Sequence, residues 1–178
     1  CLLKRDCKVR MAVRTSAVVA AEVEQVIVSD LFVAPQHELE RLCSGIDIVI
    51  HSAWYSVPGE YQTAHDNLSC LSGTLRLAQA AITVGVPRFV GIGTCFEYDL
   101  STGYLRTDTP LLPTTLYGAC KLSAFRSLSK LMARENRSMS WCRLFYLYGE
   151  AENERRLVPY IRAQLAAGKV AQLTSGKQ

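Results

Sequence analysis

A chain of 178 residues with 49% hydrophobic and 20% charged residues has the make-up of one soluble globular domain with a substantial core, not of a disordered segment. Its net charge of +4 is mild and its basic residues are scattered (Lys4, Arg5, Arg10 and Arg14 early, Arg134, Arg137, Arg155 and Arg156 late), so no basic stripe is laid out for nucleic acid. No apolar run approaches the ~20 residues of a membrane span and no charged-then-apolar signal segment opens the chain, which predicts a cytoplasmic protein.

In chain order, short apolar runs rich in β-branched residues predict strands at 9–13, 26–28, 46–50, 88–92 and 141–147. Such runs suit strands buried on both faces. Helical patterns fill the intervals at 35–43, 61–84 and 116–135, with another at 158–167 after the last strand. Alternation of this kind predicts an α/β fold, a doubly wound parallel sheet with crossover helices on both sides. Gly85 and Pro87 end the second helix, whose buried stripe is expected at Leu68, Leu71, Leu75 and Ala78. The stretch 99–113, with Gly103, Pro110 and Pro113 among Ser and Thr, is too broken for a regular element and reads as a loop walling a site. The seven cysteines (Cys1, Cys7, Cys43, Cys70, Cys95, Cys120, Cys142) include no C-x-x-C pair and no nearby His, so reduced, buried thiols are expected and no metal site. The start at Cys1 and the stop at Gln178 both read as edges of a longer protein.

Ligands of doubly wound sheets bind outside the carboxyl ends of the strands. Those ends are Arg14, Asp30, His51-Ser52-Ala53, Gly93-Thr94 and the residues 146–149. Tyr117-Gly-Ala-Cys-Lys121 puts a phenol and an ammonium one helical turn apart on a helix that faces the same crevice as Thr94. Alone, a Tyr-x-x-x-Lys pair is more often a solvated helix pair. A phenol with a pKa of ~10 is a poor base at neutral pH, and a neighbouring ammonium would favour its anion.

These residues together resemble the extended short-chain dehydrogenase/reductase family, the nucleotide-sugar epimerases, dehydratases and reductases. Asp47-Ile48-Val49-Ile50-His51-Ser52-Ala53 is similar to its D-x-V-I-H-x-A-A strand end, and 89–98 to the strand and turn bearing its catalytic Ser or Thr. Tyr117 to Lys121 matches its Tyr-x-x-x-Lys helix, and Arg143-Leu144-Phe145-Tyr146-Leu147-Tyr148-Gly149 resembles its R-x-F-N-x-Y-G strand. Residues 157–160 and 173–178 look like the beginning of its substrate-binding part.

The resemblance implies a Rossmann-like dinucleotide-binding domain at 1–150, lacking its first strand and glycine-rich loop, and the truncated beginning of a substrate-binding region at 151–178. It makes Tyr117 the general acid/base, Lys121 the holder of the nicotinamide ribose, and Thr94 the hydroxyl on the reacting sugar oxygen. Asp30, with Leu31 beside it, matches the adenine-contacting position. Ser52, Ala53 and Trp54 would line the cofactor's backbone side, and Phe145 the nicotinamide pocket. Thr94, Cys95, Tyr146, Arg155, Arg156 and Leu157 fall on the substrate side, the two arginines as diphosphate contacts or as a solvated face. A nucleotide-diphosphate sugar is the implied small-molecule partner, and a homodimer through the two long helices is one option, packing of those helices on the sheet the other.

Departures refine this. Without the G-x-x-G-x-x-G turn that seats a pyrophosphate, the chain by itself should bind dinucleotide badly, so the activity is expected of the intact parent protein. Arg14 stands where NAD-preferring members carry Asp, which implies NADP(H), with NAD(H) the alternative. Cys70 replaces an Asn of the long helix, with Asn67 one turn earlier as a substitute, and Tyr146 replaces another Asn. Cys95-Phe96 follow Thr94 where sugar 4,6-dehydratases carry Asp-Glu, which argues against elimination. The expected function is a 4-keto-sugar reductase using NADP(H); the alternatives are a nucleotide-sugar 4-epimerase with tightly held NAD, and a non-catalytic nucleotide-binding relative.

Overall fold

The computed structural model describes residues 2–147, 149, 152, 154 and 156–173. Contacts divide the chain into two units, Cys1–Leu144 and Phe145–Gln178. In the first, β1 (Val9–Val13) pairs in parallel with β2 (Val23–Ile27), Val9 opposite Val23. After α1 (Gln36–Cys43) come β3 (Ile48–His51), α2 (Asp66–Thr83), β4 (Arg88–Thr94), α3 (Leu116–Arg134) and β5 (Ser138–Leu144). These three strands form a second parallel ladder, β3-β4-β5, with α2 and α3 as the crossovers that parallel strands require. The ladders β2-β1 and β3-β4-β5 follow the order of a doubly wound sheet read without its first strand.

Register decides which face is buried. Val49, Phe89 and Met139 lie in one row across β3, β4 and β5, and strand alternation points all three to the same side. There they join Val28, Leu39, Leu77, Ala78, Ala81, Leu128 and Met132, a single core drawn from both ladders and the three helices. Ile48 and Ile50 point the other way and stay 47% and 52% exposed. The expectation of strands buried on both faces therefore fails for β3. The reason is that α1 packs on α2 and α2 on α3, a side-by-side layer that covers one face.

The second helix also differs in detail. It begins at Asp66, because residues 57–64 close hydrogen-bonded turns (Tyr61 N–H to Val57 O, Ala64 N–H to Glu60 O). Its buried stripe is Cys70, Gly73, Thr74, Leu77, Ala78 and Ala81, while Leu68 is exposed and Leu71 and Leu75 half-buried. Small residues face inward because the helix comes close to Phe32: a Cβ at Gly73 would lie 2.6 Å from the Phe32 Cα. The end is as expected. Gly85 takes φ +85°, its N–H bonds Ile82 O, and the Val86 N–H bonds Ala81 O, a Schellman cap whose flanking Val86 and Ala81 are both buried. Asn136 does the same for α3, and β5 starts at Ser138, three residues earlier than the sequence pattern suggests. Cys43, Cys70, Cys95 and Cys120 are buried thiols, but Cys7 and Cys142 are exposed, which corrects the expectation of wholly buried cysteines.

In the second unit, α4 (Leu157–Ala166) ends on Gly168 at φ +67°, and the Tyr160 hydroxyl accepts the Gln172 N–H. Among the described residues no helix is long and apolar enough to cross a membrane.

Candidate active site

The carboxyl end of β4 and the first turns of α3 build the site. Thr94 ends the strand 6% exposed, and the chain turns at once into a 3-10 turn, Cys95–Glu97. Thr115 caps α3, its hydroxyl accepting the Gly118 N–H, and the Tyr117 N–H bonds Gln62 O. Gly118 allows the close approach, since a Cβ there would strike the Phe96 carbonyl. The Tyr117 ring is boxed edge-on by Tyr61, Trp54 and Phe96 at centroid distances of 5.0, 6.2 and 6.3 Å. One turn on, Lys121 is buried; its Nζ donates to Ile92 O at 2.7 Å, lies 3.9 Å above the Trp54 ring and 5.9 Å from the Tyr117 ring. Thr94, Tyr117 and Lys121 are thus brought together, with Trp54 as a fourth member.

The electrostatics differ from the simple expectation. Burial pushes the Tyr117 phenol above its ordinary value; the Thr94 hydroxyl counters it by hydrogen bonding, while Tyr61, Glu97 and Cys95 push further up. Burial also holds Lys121 down to about 8, against the opposing pull of Glu97. Burial, rather than the neighbouring ammonium, sets the direction of the phenol's shift.

Lys121 supplies a pH test. Between pH 8 and 10.5 the folded lysine has lost a proton that the unfolded one still holds, so its contribution to stability rises with pH across that window and is unfavourable below it. The stability difference between wild type and Lys121→Met is expected to shift in favour of wild type by on the order of 2–3 kcal/mol from pH 7.5 to 10.5, read as urea midpoints. Taking the difference cancels the buried thiols Cys43, Cys95 and Cys120, whose raised pKa acts with opposite sign; Cys70, which Lys121 pulls down, is part of the measured difference.

The surrounding positions are resolved as follows. Trp54 Nε1 donates to Asn67 Oδ1 at 2.7 Å, and the Asn67 amide donates to Tyr61 O and Ala64 O at 2.7 and 2.8 Å. Fully buried Asn67 is therefore the anchor of Trp54, and Cys70 Sγ accepts the Tyr55 N–H. His51 is buried and held down to about 4 by burial and by Lys121; Thr74 Oγ1 donates to Cys70 O, so His51 Nε2 is the donor to that hydroxyl and the ring is a neutral structural group. Asp30 Oδ1 accepts the Phe32 N–H in a local turn beside half-buried Leu31. Ser52 and Ala53 are exposed just past β3, as is Arg14 just past β1. Cys95 is buried and its thiol is pushed up by burial.

Phe145, Tyr146, Arg156 and Leu157 belong to the second unit; all are exposed, and Arg156 pairs with Glu152 at 3.9 Å. Arg155 lies outside the described residues, as do Tyr148 and 174–178.

Sequence reasoning missed Glu97, Trp141 and Arg143, which lie beneath Thr94. Glu97 is fully buried and accepts the Thr94 N–H at 2.9 Å, two contacts from Trp141 Nε1, and Arg143 Nε at 2.8 Å. The signal was present: Thr94-Cys95-Phe96-Glu97 is a Thr-x-x-Glu capping box.

The whole chain, residues 1–178, matches the NAD dependent epimerase/dehydratase family. The chain belongs to that family. Comparison with curated proteins gives no match. Among solved structures, this family member is similar to a UDP-N-acetylglucosamine 4-epimerase from Bacillus cereus (TM-score 0.77, 17% identity, 97% of this chain and 56% of that one). It is also similar to the UDP-N-acetylglucosamine 4-epimerase from Methanobrevibacter ruminantium M1 in complex with UDP-N-acetylmuramic acid (0.73, 20%, 91% and 56%). A third likeness is the UDP-glucuronic acid 4-epimerase from Bacillus cereus in complex with NAD (0.66, 21%, 90% and 51%). At these identities the likeness is one of fold, and the chain spans about half the length of these structures.

Proposed function

We propose that the protein carrying this chain is a nicotinamide-dependent oxidoreductase of nucleotide-diphosphate sugars, in which Tyr117 moves the proton that accompanies hydride transfer at a sugar carbon, C4. The observation that supports this is the Thr94-Tyr117-Lys121 cluster at the carboxyl end of β4, where the Tyr117 ring lies beside buried Thr94 and 5.9 Å from the Lys121 ammonium. The residues suit a nicotinamide nucleotide: Lys121 has three N–H donors and its described acceptor is Ile92 O, leaving donors for ribose hydroxyls. When bound, the nucleotide supplies the hydride chemistry. Tyr117 holds or releases the proton, Thr94 orients the sugar oxygen, and the Trp54, Tyr61 and Phe96 rings keep water off the phenol. Cys95 and Phe96 offer no carboxyl for elimination, and Glu97, tied to Arg143 and Trp141, is not free to supply one.

The favoured form is an NADP(H)-dependent 4-keto-sugar reductase, supported by the exposed guanidinium of Arg14 past β1, in reach of solvent for a 2′-phosphate. A 4-epimerase that retains NAD is favoured instead by the NAD-bound neighbour. A non-catalytic nucleotide-binding relative is the reading from another class. Denaturing the purified full-length protein and weighing the released nucleotide separates them: retained NAD supports the epimerase, an empty site binding NADPH more tightly than NADH supports the reductase, and binding of neither supports the non-catalytic reading. Arg14→Asp is expected to weaken NADPH by about tenfold or more, the scale of one lost charge-assisted contact, while sparing NADH. Equal loss of both nucleotides would remove Arg14 as the phosphate reader.

A further inference from the structure

Glu97 has no part in the proton-transfer scheme above, yet it is a completely buried carboxylate one turn beyond Thr94. Burying an ion costs free energy that an apolar side chain would avoid, and an isosteric apolar pair in place of a buried ion pair is often as stable or more so. A charge at this spot therefore calls for a use. Each of its oxygens is occupied: Oε1 accepts the Thr94 N–H at 2.9 Å and Trp141 Nε1 at 3.0 Å, and Oε2 accepts Arg143 Nε at 2.8 Å and Trp141 Nε1 at 3.2 Å. The Arg143 guanidinium is itself stacked over Phe125 at 4.5 Å and Tyr98 at 5.3 Å, so the counter-ion is fixed. β4 makes room for this clamp with glycine: a Cβ at Gly93 would strike both Trp141 Nε1 and Glu97 Oε1. Thr94 is in turn held twice, its N–H by Glu97 and its Oγ1 by the Phe96 N–H at 3.3 Å, which leaves its own hydroxyl proton available to the Tyr117 phenol and the Cys95 thiol beside it.

We propose that Glu97 is a positioning residue of the active site: clamped by Trp141 and Arg143, its carboxylate holds the Thr94 backbone so that the Thr94 hydroxyl is kept beside Tyr117. The charge also acts directly, because it lies close enough to favour the protonated forms of both Tyr117 and Lys121. This inference rests on the site assignment above, but its test needs neither substrate nor cofactor, so an inactive protein would not decide it.

The test follows Tyr117 ionisation by NMR in the full chain labelled with [13Cζ]tyrosine, assigned with Tyr117→Phe. The groups facing Tyr117 are Tyr61 from the preceding loop, Cys95 and Glu97 from the 3-10 turn, and Lys121 from α3. Glu97→Gln keeps an oxygen for the Thr94 N–H but removes the negative charge, so the Tyr117 midpoint is expected to fall. Arg143→Met leaves the carboxylate unscreened and is expected to raise it, and the double variant to return close to wild type. A role confined to packing would lower stability while leaving all four midpoints alike, and that result overturns the proposal. Should a single variant fail to fold, the wild-type chain decides: the Thr94 amide proton, bound to a carboxylate, is expected far downfield and to move with the Tyr117 titration. A Thr94 amide indifferent to that titration overturns the proposal equally.

Discussion

Replacing Tyr117 with Phe in the full-length protein is expected to lower kcat for a nucleotide-diphosphate sugar by about 10²–10⁴-fold, the range a positioned general acid/base contributes. Nucleotide binding should be nearly unchanged, because the other groups assigned to the nucleotide, Arg14, Asp30, Leu31, Ser52, Ala53, Trp54, Lys121 and Phe145, are all retained. The ring survives in the variant, so its edge contacts with Tyr61, Trp54 and Phe96 and the backbone bond to Gln62 O persist. A loss in kcat with KM and the melting profile preserved would separate chemistry from packing. An active Phe variant would refute the assigned role of the phenol.

Removing the Phe89 ring is expected to cost about 3–5 kcal/mol of folding stability in Phe89→Ala, measured as a shift of the urea midpoint with unchanged slope. Phe89 is 1% exposed at the centre of the row Val49, Phe89 and Met139, and it packs in the core that α1, α2 and α3 share with both ladders. Its ring also lies 6.2 Å from that of His51, which Thr74 fastens to α2. A cavity there therefore loosens β3 against β4 as well as the helix layer. Domains of this kind are stable by only about 5–15 kcal/mol, so the variant would retain a folded baseline with little margin. A loss under about 1 kcal/mol would mean that the site collapses around the missing ring and that the core is less continuous than the contacts indicate.

Much of this architecture was legible in the residues. β1 occupies the five residues that the β-branched run at 9–13 marked, and α3 runs over Leu116–Arg134, within one residue of the helical pattern at 116–135. Gly85 and Pro87 announced the end of α2 because only a residue tolerant of positive φ closes a Schellman cap cheaply. The juxtaposition of Thr94 with Tyr117 followed from topology, since parallel strands joined by helices bring their carboxyl ends to one edge. Local chemistry and alternation were enough for these, because each depends on backbone preferences within a few residues.

Facing directions were harder. The stripe of α2 was misread at Leu68 and Leu71, because large apolar residues were taken to point inward, whereas Leu75 packs at the core's edge and closeness to Phe32 requires a glycine at 73. The exposure of Ile48 and Ile50 likewise depends on which sheet face the helix layer covers, a property of no single segment. Glu97 shows the same limit at the site. Its capping-box spacing is written in the sequence, but its buried pairing with Arg143 and Trp141 joins residues more than forty positions apart. Chain-local signals thus marked most of the elements, their order and the Tyr117–Lys121 pair. The register of β4 with β5, where Gly91 meets Trp141 and Gly93 meets Arg143, decided how those groups are held and charged, because electrostatics and close packing depend on distances in space rather than along the chain.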